Sequence, residues 1–385
     1  MSQLKHKPEV YETAKKRARA RIKGMTEDDI AARYPWPQDK PSLKTKAKSL
    51  AAAGKQVLRD ITRHKRSPLA PRKEARRRQA ICDGCEFYKN RRCTQCGCVM
   101  PAKVRLAHSF CPIGKWDTDM VSVIIPARNE LYLARTIESL QTTAKGPIEV
   151  LVFFDSWEIY IEVRDQVAEM PGVSCWYNQG EAVGIRAGSN FLAERALGKY
   201  LFRVDGHCSF SEGWDLPLKN SAEPMAVVVP SMRVLNAETW EAERESHDYY
   251  YMDRDYRYQA FKGVKYPGRG GVIEIMAFIG AAWFCRKATW EALGGYDEKF
   301  YHWGESGIEW SLKTWLNGGR LLLDKRAWFA HLFRPKFPYQ LNGNKVKSNR
   351  ADIREHFKNY QGRRSIDWLV KKFKPLPGWH DKALN

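Results

Sequence analysis

A carboxylate and an imidazole lie two residues apart in the middle of the chain, in the segment Arg203-Val204-Asp205-Gly206-His207. This segment follows a hydrophobic run, residues 200–202, that is typical of the end of a buried strand. Because residues i and i+2 of an extended chain point to the same side, Asp205 and His207 can bind one cation through an oxygen and a nitrogen. The same residues also suit an ordinary turn, since Asp-Gly is a common turn sequence.

A second set with metal-binding chemistry consists of six cysteines: Cys82, Cys85, Cys93, Cys96, Cys98 and Cys111. The first four form two CxxC pairs, which are typical of zinc knuckles because the turn of each pair lets both thiolates reach one tetrahedral ion. Six thiols exceed one such site, so the spacing leaves open which four bind. We predict a structural zinc, with free thiols or a redox pair as the alternatives.

The rest of the chain has the composition of a folded protein with a basic N-terminus. Its apolar content is 43% and its net charge is +21, and this apolar content argues against a disordered chain. Residues 1–80 alone contain 23 Lys and Arg against 8 Asp and Glu. We expect a basic helical arm that meets a polyanion such as nucleic acid, with a solvated helical tail as the alternative.

No segment of the sequence predicts a membrane span or a secretion signal. The chain has no apolar run of about 18 residues. Its N-terminus is charged from Lys5 onward, which is unlike a signal peptide. A cytoplasmic protein is expected, and cysteines in that compartment bind metals or stay free more often than they form disulfides.

Strands and helices alternate from residue 120 onward. Apolar runs at 121–126, 148–154, 173–177 and 199–204 predict strands, and the segments between them have helical spacing. This order predicts an α/β layer with a largely parallel sheet. Ligands of such sheets bind beyond the carboxyl ends of the strands. Residues 126–130, Asp155 and Asp205 all follow strands, so we expect them to line one crevice.

The stretch 238–258 differs from its surroundings because it is rich in Tyr, Trp and charged residues. Aromatic side chains of this kind can line an acceptor groove and stack on sugars or bases. A packed excursion that caps the sheet is the alternative interpretation.

Residues 121–334 resemble nucleotide-sugar glycosyltransferases of the GT-A fold, family 2-like, and among them the polypeptide N-acetylgalactosaminyltransferases. The order and spacing of several motifs carry this resemblance: Val-Ser-Val-Ile-Ile-Pro-Ala-Arg-Asn-Glu at 121–130, Gly-Ile-Arg-Ala at 184–187, Asp-Gly-His-Cys-Ser at 205–209, Gly213-Trp214, Trp303-Gly304 with Glu309, Gly318-Gly319, and His-Leu-Phe-Arg at 331–334.

The resemblance implies a nucleotide-sugar donor, a UDP-sugar, and a divalent cation that bridges its diphosphate. The ligands of that cation would be Asp205, His207 and the distant His331. Mixed oxygen and nitrogen ligands suit Mn²⁺ better than Mg²⁺, and the cation would offset the charge of the leaving diphosphate. The residues implied to contact or lie near the nucleotide are Pro126, Ala127, Arg128, Glu130, Asp155, Arg186 and Asp205.

Glu305 and Glu309 are the candidate catalytic residues under this resemblance. They open a helix, where the dipole favours carboxylates, and one of them would meet the acceptor hydroxyl or the donor sugar. A helix cap is the alternative role. The relatives have an acid three residues before the position of Glu309, where this chain has Ser306 and places Glu305 one residue earlier. The likeness favours retention of the anomeric configuration, and inversion stays open.

The sequence therefore predicts four parts: a basic helical arm at 1–80, a zinc module at 81–117, a GT-A domain at 118–334 and a basic C-terminal extension at 335–385. The cysteine module, residues 82–116, resembles segments of bacteriophage proteins. A phage-encoded protein would work in the host cytoplasm.

Three hypotheses about function follow. The first is a phage DNA glycosyltransferase that modifies 5-hydroxymethylpyrimidines, with the arm on DNA phosphates and the target base flipped out. The second is an enzyme that glycosylates protein Ser/Thr or a cell-surface polymer. The third is a non-catalytic binding protein on a transferase scaffold.

Overall fold

The computed structural model describes residues 69–70, 72–106, 109, 111, 115–116, 119–245, 250–260, 271–300, 304–334, 337–339 and 343–379. The chain divides into two compact units, Met1–Thr118 and Asp119–Asn385. Nearly all of the predicted basic arm lies outside the described residues.

The described part of the first unit contains the cysteine module. Its elements are helix α1 (Arg72–Asp83), strands β1 (Tyr88–Lys89) and β2 (Arg92–Cys93), and helix α2 (Met100–Lys103). The two strands form an antiparallel hairpin. Asn90 and Arg91 both have positive φ, as a two-residue turn of this kind requires. Phe87, Met100 and Trp116 fill a small core with three of the cysteines.

The first half of the second unit follows the predicted alternation. It comprises β3 (Val121–Ala127), α3 (Leu133–Thr143), β4 (Ile148–Asp155), α4 (Ile161–Ala168), β5 (Val173–Asn178), α5 (Gly184–Arg195) and β6 (Tyr200–Val204). Strands β3, β4 and β6 are buried along almost their whole length, because helices cover both faces of a parallel sheet.

The second half adds shorter strands and the C-terminal helices. In order these are β7 (Cys208–Phe210), α6 (Asp215–Ser221), β8 (Ala226–Leu235), β9 (Ala242–Glu245), β10 (Tyr250–Met252), β11 (Tyr258–Ala260), β12 (Val272–Glu274), β13 (Ala282–Arg286), α7 (Lys287–Leu293), a 3-10 turn (Glu298–Phe300), α8 (Ser306–Leu316), β14 (Arg320–His331), α9 (Gly343–Lys358) and α10 (Ile366–Phe373).

Ten strands of the described chain form one sheet, in the order β12-β14-β8-β13-β6-β3-β4-β5, with β7 on β14 and β9 on β8. The pairs β14/β8, β6/β3, β3/β4 and β4/β5 are parallel. Strand β13 enters antiparallel between β6 and β8. The predicted α/β fold with a mostly parallel sheet is confirmed, and the antiparallel strands are confined to one side.

Strand β14 (Arg320–His331) continues well beyond its apolar start at residues 321–323. The charged sequence Asp324-Lys325-Arg326 looks like the end of a strand. The strand instead continues past it through a register shift between Asp324 and Trp328. Asp324 is buried there because Ser221 and Arg326 satisfy its carboxylate, at 2.7 and 2.7 Å. The extra length carries His331 to the edge of the candidate site.

The residues predicted as a C-terminal extension contribute to the body of the second unit. Helices α9 and α10 both lie in this part of the chain. Leu369 and Val370 of α10 are buried in the main core, together with Trp315 and Leu316. Among the described residues, no helix has the length and apolarity needed to cross a bilayer.

Candidate active site

Asp205, His207 and His331 form the candidate cation site. Each offers a ligand atom, and these atoms all lie within 4.8 Å of one another. In the part of the chain that the structure describes, no other group of three or more His, Cys, Asp or Glu side chains converges in this way. Residues 124 positions apart in sequence are thus adjacent in the fold, as the sequence predicts.

Sheet register brings these three residues together. Asp205 follows β6, and its N–H donates to the carbonyl of Ala281 at 2.9 Å. Strand β7 pairs with β14 so that Cys208 is opposite His331. The N–H of Leu332 then donates to the carbonyl of His207 at 3.1 Å. The two imidazole rings consequently lie 4.6 Å apart, centroid to centroid.

The donor set fits a divalent transition ion. One carboxylate and two imidazoles are ligands that suit Mn²⁺ better than Mg²⁺. Nε2 of His331 lies 3.3 Å from Oδ2 of Asp205. Nδ1 of His331 is buried and has no hydrogen-bond partner, which is unusual for a buried polar atom and is compatible with a place beside a ligand.

The charge on Asp205 is stabilised by a buried arginine. Burial raises the pKa of Asp205, but the charge of Arg203, 2.6 Å away, and the hydrogen bond with His331 hold that pKa well below its usual range. Burial lowers the pKa of His331, with Asp205 opposing the shift. The site therefore has an ionised carboxylate and a neutral imidazole near pH 7, which are the forms that bind metal.

Arg203 was not predicted as a site residue, although the sequence holds a signal for it. A guanidinium in the apolar run of β6 must be buried, and a buried charge needs a partner. Its side chain donates to the carbonyls of Gly280 and Ala281 and pairs with Asp205. Arg203 therefore ties the cation site to the chain segment that precedes β13.

Glu130 forms a second layer behind His207. Its Oε2 atom lies 2.8 Å from Nδ1 of His207 and 2.6 Å from Nη2 of Arg334. Burial raises the pKa of Glu130, but His207 and Arg334 lower it below its usual value. A carboxylate on one imidazole nitrogen orients the ring and leaves the other nitrogen for a metal. The structure thus places Glu130, predicted to contact the nucleotide, against a candidate metal ligand.

Asp155 closes the neighbouring crevice. Its carboxylate accepts from the N–H groups of Val183 and Gly184, at 2.9 and 2.8 Å, and from Nδ2 of Asn178 at 2.9 Å. An acid at the N-terminus of α5 is favoured by the helix dipole. Asp155 therefore fixes the position of α5 at the end of β4, and a nucleotide would share its carboxylate with these donors.

The end of β3 runs alongside Asp155. Pairing of Ala127 with Phe154 sets Pro126 and Ala127 next to the end of β4. The guanidinium of Arg128 lies 5.1 Å from the ring centre of Tyr339. The structure thus places these predicted nucleotide residues at the carboxyl edge of the sheet, as expected.

Arg186 and Glu309 have a different position from the one that the resemblance implies. Both side chains are 0% exposed, and Nε of Arg186 lies 2.6 Å from Oε2 of Glu309. Arg186 also donates to the carbonyl of Gly304 at 3.0 Å, and Glu309 accepts from the N–H of Asp297 at 2.7 Å. Neither side chain reaches a substrate here. They hold α5 against the start of α8, and neither a nucleotide contact by Arg186 nor catalysis by Glu309 fits this burial.

Glu305, the other candidate acid at the start of α8, is buried as well, with 4% of its side chain exposed. It has a left-handed backbone, with φ 56°, at the start of α8. Its Oε1 atom lies 2.8 Å from Nε of Arg350, while Oε2 is buried without a hydrogen-bond partner. Burial raises the pKa of Glu305, and Arg350 offsets only part of that effect.

The packing of the next residues explains why the acid is at 305. A Cβ atom on Gly280 would lie 2.8 Å from Oγ of Ser306 and 2.9 Å from the nitrogen of Gly307. The chain around Gly280 thus approaches the start of α8 too closely for a large side chain at 306 or 307. The carboxylate is displaced to the preceding residue.

The cysteines in the first unit gather without converging on one point. Trp116 donates from Nε1 to Sγ of Cys82 at 2.9 Å, and Nζ of Lys103 donates to Sγ of Cys96 at 3.3 Å. A hydrogen bond with Cys96 lowers the pKa of Cys93 to about 7, against the effect of burial. Among the described residues no three thiols meet within 4.8 Å, so the zinc site stays a prediction.

Part of the second unit matches a known protein family. Residues 122–288 match the family described as Glycosyl transferase family 2. The chain is 28% identical over 267 residues to human polypeptide N-acetylgalactosaminyltransferase 12, covering 63% of this chain and 45% of that protein. It is 27% identical over 241 residues to polypeptide N-acetylgalactosaminyltransferase 3 of Taeniopygia guttata, covering 57% and 38%. The chain spans less than half the length of the curated relatives it matches.

The crystal structure of GalNAc-T7 with UDP, GalNAc and Mn²⁺ has a similar fold. The match has a TM-score of 0.54 at 19% identity and covers 76% of this chain and 58% of that one. The body of the chain therefore has the GT-A fold, and residues 122–288 within it resemble glycosyl transferase family 2.

Proposed function

We propose that the chain is a metal-dependent glycosyltransferase that moves a sugar from a UDP-sugar to a hydroxyl acceptor. The bond between the anomeric carbon and the phosphate oxygen breaks, and its electron pair leaves with UDP. The acceptor oxygen bonds to that carbon, and the hydroxyl proton is released to solvent. The convergence of Asp205, His207 and His331 at the carboxyl edge of a GT-A sheet carries this proposal.

The protein groups at this edge have separable tasks. Asp205 and the two imidazoles would hold Mn²⁺ or Mg²⁺, which supplies positive charge for the leaving diphosphate. Glu130 fixes the ring of His207 through Nδ1. Arg334 pairs with Glu130 at 2.6 Å and would place a further positive charge beside the diphosphate. The segment from Pro126 to Arg128, together with Asp155, forms the wall where the nucleotide would bind.

For the acceptor, we propose a 5-hydroxymethylpyrimidine of phage DNA. The excess of Lys and Arg in residues 1–80 supports this choice, since such an arm binds phosphates without reading sequence. The likeness of the cysteine module to phage proteins also supports it. The names of the curated relatives favour the alternative acceptor, protein Ser/Thr.

We propose also that the cysteine module holds a structural zinc. Two CxxC pairs supply enough thiolates, and Cys82, Cys85, Cys93 and Cys111 line one cavity in the core of the module. Binding would join these thiolates at one ion, and it would stabilise a core that contains few apolar side chains.

Incubation of the full chain with a labelled UDP-sugar and Mn²⁺ tests the activity and the acceptor together. We expect UDP release that EDTA abolishes, and label on DNA that contains 5-hydroxymethylcytosine or 5-hydroxymethyluracil. The same DNA with unmodified pyrimidines is the matched control. Label on a Ser/Thr peptide but not on DNA would favour the alternative acceptor. Absence of UDP release in every mixture would overturn the proposed activity.

A shortened chain that lacks residues 1–68, and so keeps α1, tests the role of the arm. Its affinity for DNA should fall, and the dependence of that affinity on salt should become shallower, because fewer phosphates are neutralised. A slope equal to that of the full chain would count against the arm as a DNA-binding element.

A further inference from the structure

The cysteine module has a strong excess of positive charge. Residues 72–116 contain 11 Lys and Arg against 3 Asp and Glu. Two arginines of α1 are engaged inside the module, because Arg77 and Arg78 pair with Glu74, at 2.7 and 2.8 Å, and both also donate to backbone carbonyls. Their charge therefore serves the fold of the module. The hairpin formed by β1 and β2 carries cations that are placed differently.

The hairpin tip consists of four exposed residues: Lys89, Asn90, Arg91 and Arg92. Arg92 donates from Nη1 to the carbonyl of Gly97 at 3.2 Å. Within the described part of the chain, no acid pairs with the side chain of Lys89 or Arg91. Two cations are thus exposed beside each other on a short turn, without a described counter-charge.

Arg91 has a backbone conformation that suits glycine better than arginine. Asn90 and Arg91 join the paired residues Lys89 and Arg92, with φ 51° and 60°. Two-residue turns of this kind favour Asn at the first position and Gly at the second. Glycine adopts positive φ without steric cost, whereas a residue with a Cβ atom does not. The turn therefore favours glycine at position 91, and the arginine adds what glycine lacks, a positive charge.

Backbone contacts hold the hairpin tip in place. The N–H of Met100 donates to the carbonyl of Arg91 at 2.9 Å, and Arg92 forms an antiparallel bridge with Val99. The segment 97–100 consequently runs beside the turn and braces it. A binding group on a braced backbone loses less conformational freedom on association than one on a mobile loop.

The phosphate backbone of duplex DNA matches this arrangement. Duplex DNA carries about one negative charge per 1.7 Å of its axis, so two adjacent cations meet phosphates wherever the hairpin tip approaches. Arginine can contact a phosphate through two N–H groups, and lysine acts as a point charge. Contacts of this kind position a protein on DNA without reading its sequence. They suit an enzyme that acts on a modified base in any sequence.

We propose that Lys89 and Arg91 bind DNA phosphates and dock the cysteine module on duplex DNA. This inference rests on the proposed function, in which DNA is the acceptor, and it adds a contact outside the basic arm at residues 1–68. The module then takes part in acceptor binding. The predicted zinc would contribute to that binding by stabilising the hairpin that presents the two cations.

Arg91→Gly separates the charge from the fold of the turn. Because glycine suits position 91, the melting temperature should not fall in this variant, whereas the affinity for DNA should. Arg91→Lys keeps the charge and should keep most of the affinity. Lys115 is a matched control for Lys89, since it is an exposed lysine of the same module that pairs with Glu86 at 3.6 Å.

The test measures binding of the full chain to a labelled duplex that contains 5-hydroxymethylcytosine, by fluorescence anisotropy at salt concentrations from about 50 to 200 mM. Lys89→Met and Arg91→Gly should each lower the slope of log affinity against log salt by about one, and together by about two. The double variant should bind about tenfold more weakly near 0.1 M salt. Lys115→Met should change the affinity less than about twofold, because Glu86 already offsets that charge.

Equal losses in Lys89→Met and Lys115→Met would overturn the inference, since only the net charge of the module would then matter. A lower melting temperature in Arg91→Gly would overturn the argument from the turn. An unchanged affinity in the double variant would overturn the hairpin tip as a DNA contact and leave DNA as the acceptor. Transfer by the unchanged chain to a Ser/Thr peptide, with no affinity for DNA, would overturn the proposed acceptor and the hairpin tip together.

Discussion

The chain has two regions that the sequence predicts to bind metal, and the structure treats them differently. In the second unit, three ligand atoms from two distant segments lie within 4.8 Å of one another. In the first unit, six cysteines lie within thirty residues, yet no three described thiols meet that distance. The fold thus brings distant residues together at the first site, whereas the cysteines, close in sequence, pack in one cluster without three thiols meeting.

The difference follows from what holds the ligands. Asp205 and His331 are placed by the register of a ten-stranded sheet with a large core. Cys82 lies near the end of α1 and Cys93 in the two-residue strand β2, while the other four cysteines lie outside helices and strands. A small core cannot hold thiolates against their mutual repulsion, so in such a module the ion itself completes the structure. The sheet therefore fixes the candidate ligands by itself, whereas we predict that the cysteine module needs zinc to complete its fold.

Removing a candidate ligand from the sheet site should have the largest effect of the variants considered. Asp205→Asn should lower Mn²⁺ affinity and UDP release by about 100-fold or more, since it removes the anionic ligand of a catalytic cation. Isothermal titration with Mn²⁺ and an assay of UDP release measure the two effects. Asp324→Asn is the matched control, because Asp324 is a buried carboxylate bonded to Ser221 and Arg326. Equal losses in both variants would indicate unfolding and not loss of a ligand.

The second layer of the same site should give a smaller effect. Glu130→Gln should lower Mn²⁺ affinity about 10–100-fold, as outer partners of metal-bound histidines generally do. Loss of activity that high Mn²⁺ concentrations restore would confirm that Glu130 acts through His207. A defect in UDP-sugar binding at saturating Mn²⁺ would instead indicate that Glu130 contacts the nucleotide.

Removal of zinc should unfold the cysteine module, whereas removal of Mn²⁺ should leave the sheet site folded. The purified chain should contain zinc by elemental analysis, and replacing Cys82 and Cys85 by Ser should abolish it. We expect the module to lose its structure while UDP release without acceptor changes less than about twofold, because the module is a separate compact unit. If the purified chain contains no zinc and its six thiols react freely with a thiol reagent, the predicted zinc site is wrong.

The smallest predicted effect is on the pH dependence of stability. The pKa of Glu305 is raised on folding, whereas that of Glu130 is lowered. Because the pKa of Glu305 is raised on folding, its contribution to stability is present below the ordinary Glu pKa and lost as pH rises through the raised one. Glu305→Gln should therefore raise the melting temperature near pH 8 and have little effect in acid.

Glu130 provides the control of opposite sign. Its pKa is lowered on folding, so its contribution is present above the ordinary Glu pKa and lost as pH falls through the lowered one. Glu130→Gln should lower the melting temperature near pH 8 and have less effect in acid. The same direction of shift for both variants would show that the two carboxylates do not differ in the way their surroundings indicate.

The alternating strands and helices, and the three residues of the candidate cation site, could be predicted from the sequence. Strands β3 to β6 could be predicted because each is a continuous apolar run bounded by polar turns. Strand β14 could not be predicted in full, since Asp324 looks like a strand end unless its partners Ser221 and Arg326 are known. Local patterns do not contain such partners when they lie a hundred residues away.

The site was predicted less well where burial decides the role. The sequence gives Glu305 and Glu309 nearly equal standing, as two acids at the start of one helix. Their difference depends on Arg186, which comes from α5 and neutralises Glu309 inside the core, and on Arg350, which occupies only one oxygen of Glu305. Both arginines are remote in sequence, so composition and spacing around the helix do not distinguish the acids.

The pairing of Arg203 with Asp205 bears on whether the protein stays folded when no metal is bound. Because this guanidinium lies 2.6 Å from the carboxylate of Asp205, the protein itself supplies a positive charge that offsets the buried negative one. A shortage of manganese should then leave a reservoir of folded, idle molecules that resume work when the ion returns. Supply of the ion would set how many molecules are active, while the number that are folded stays constant.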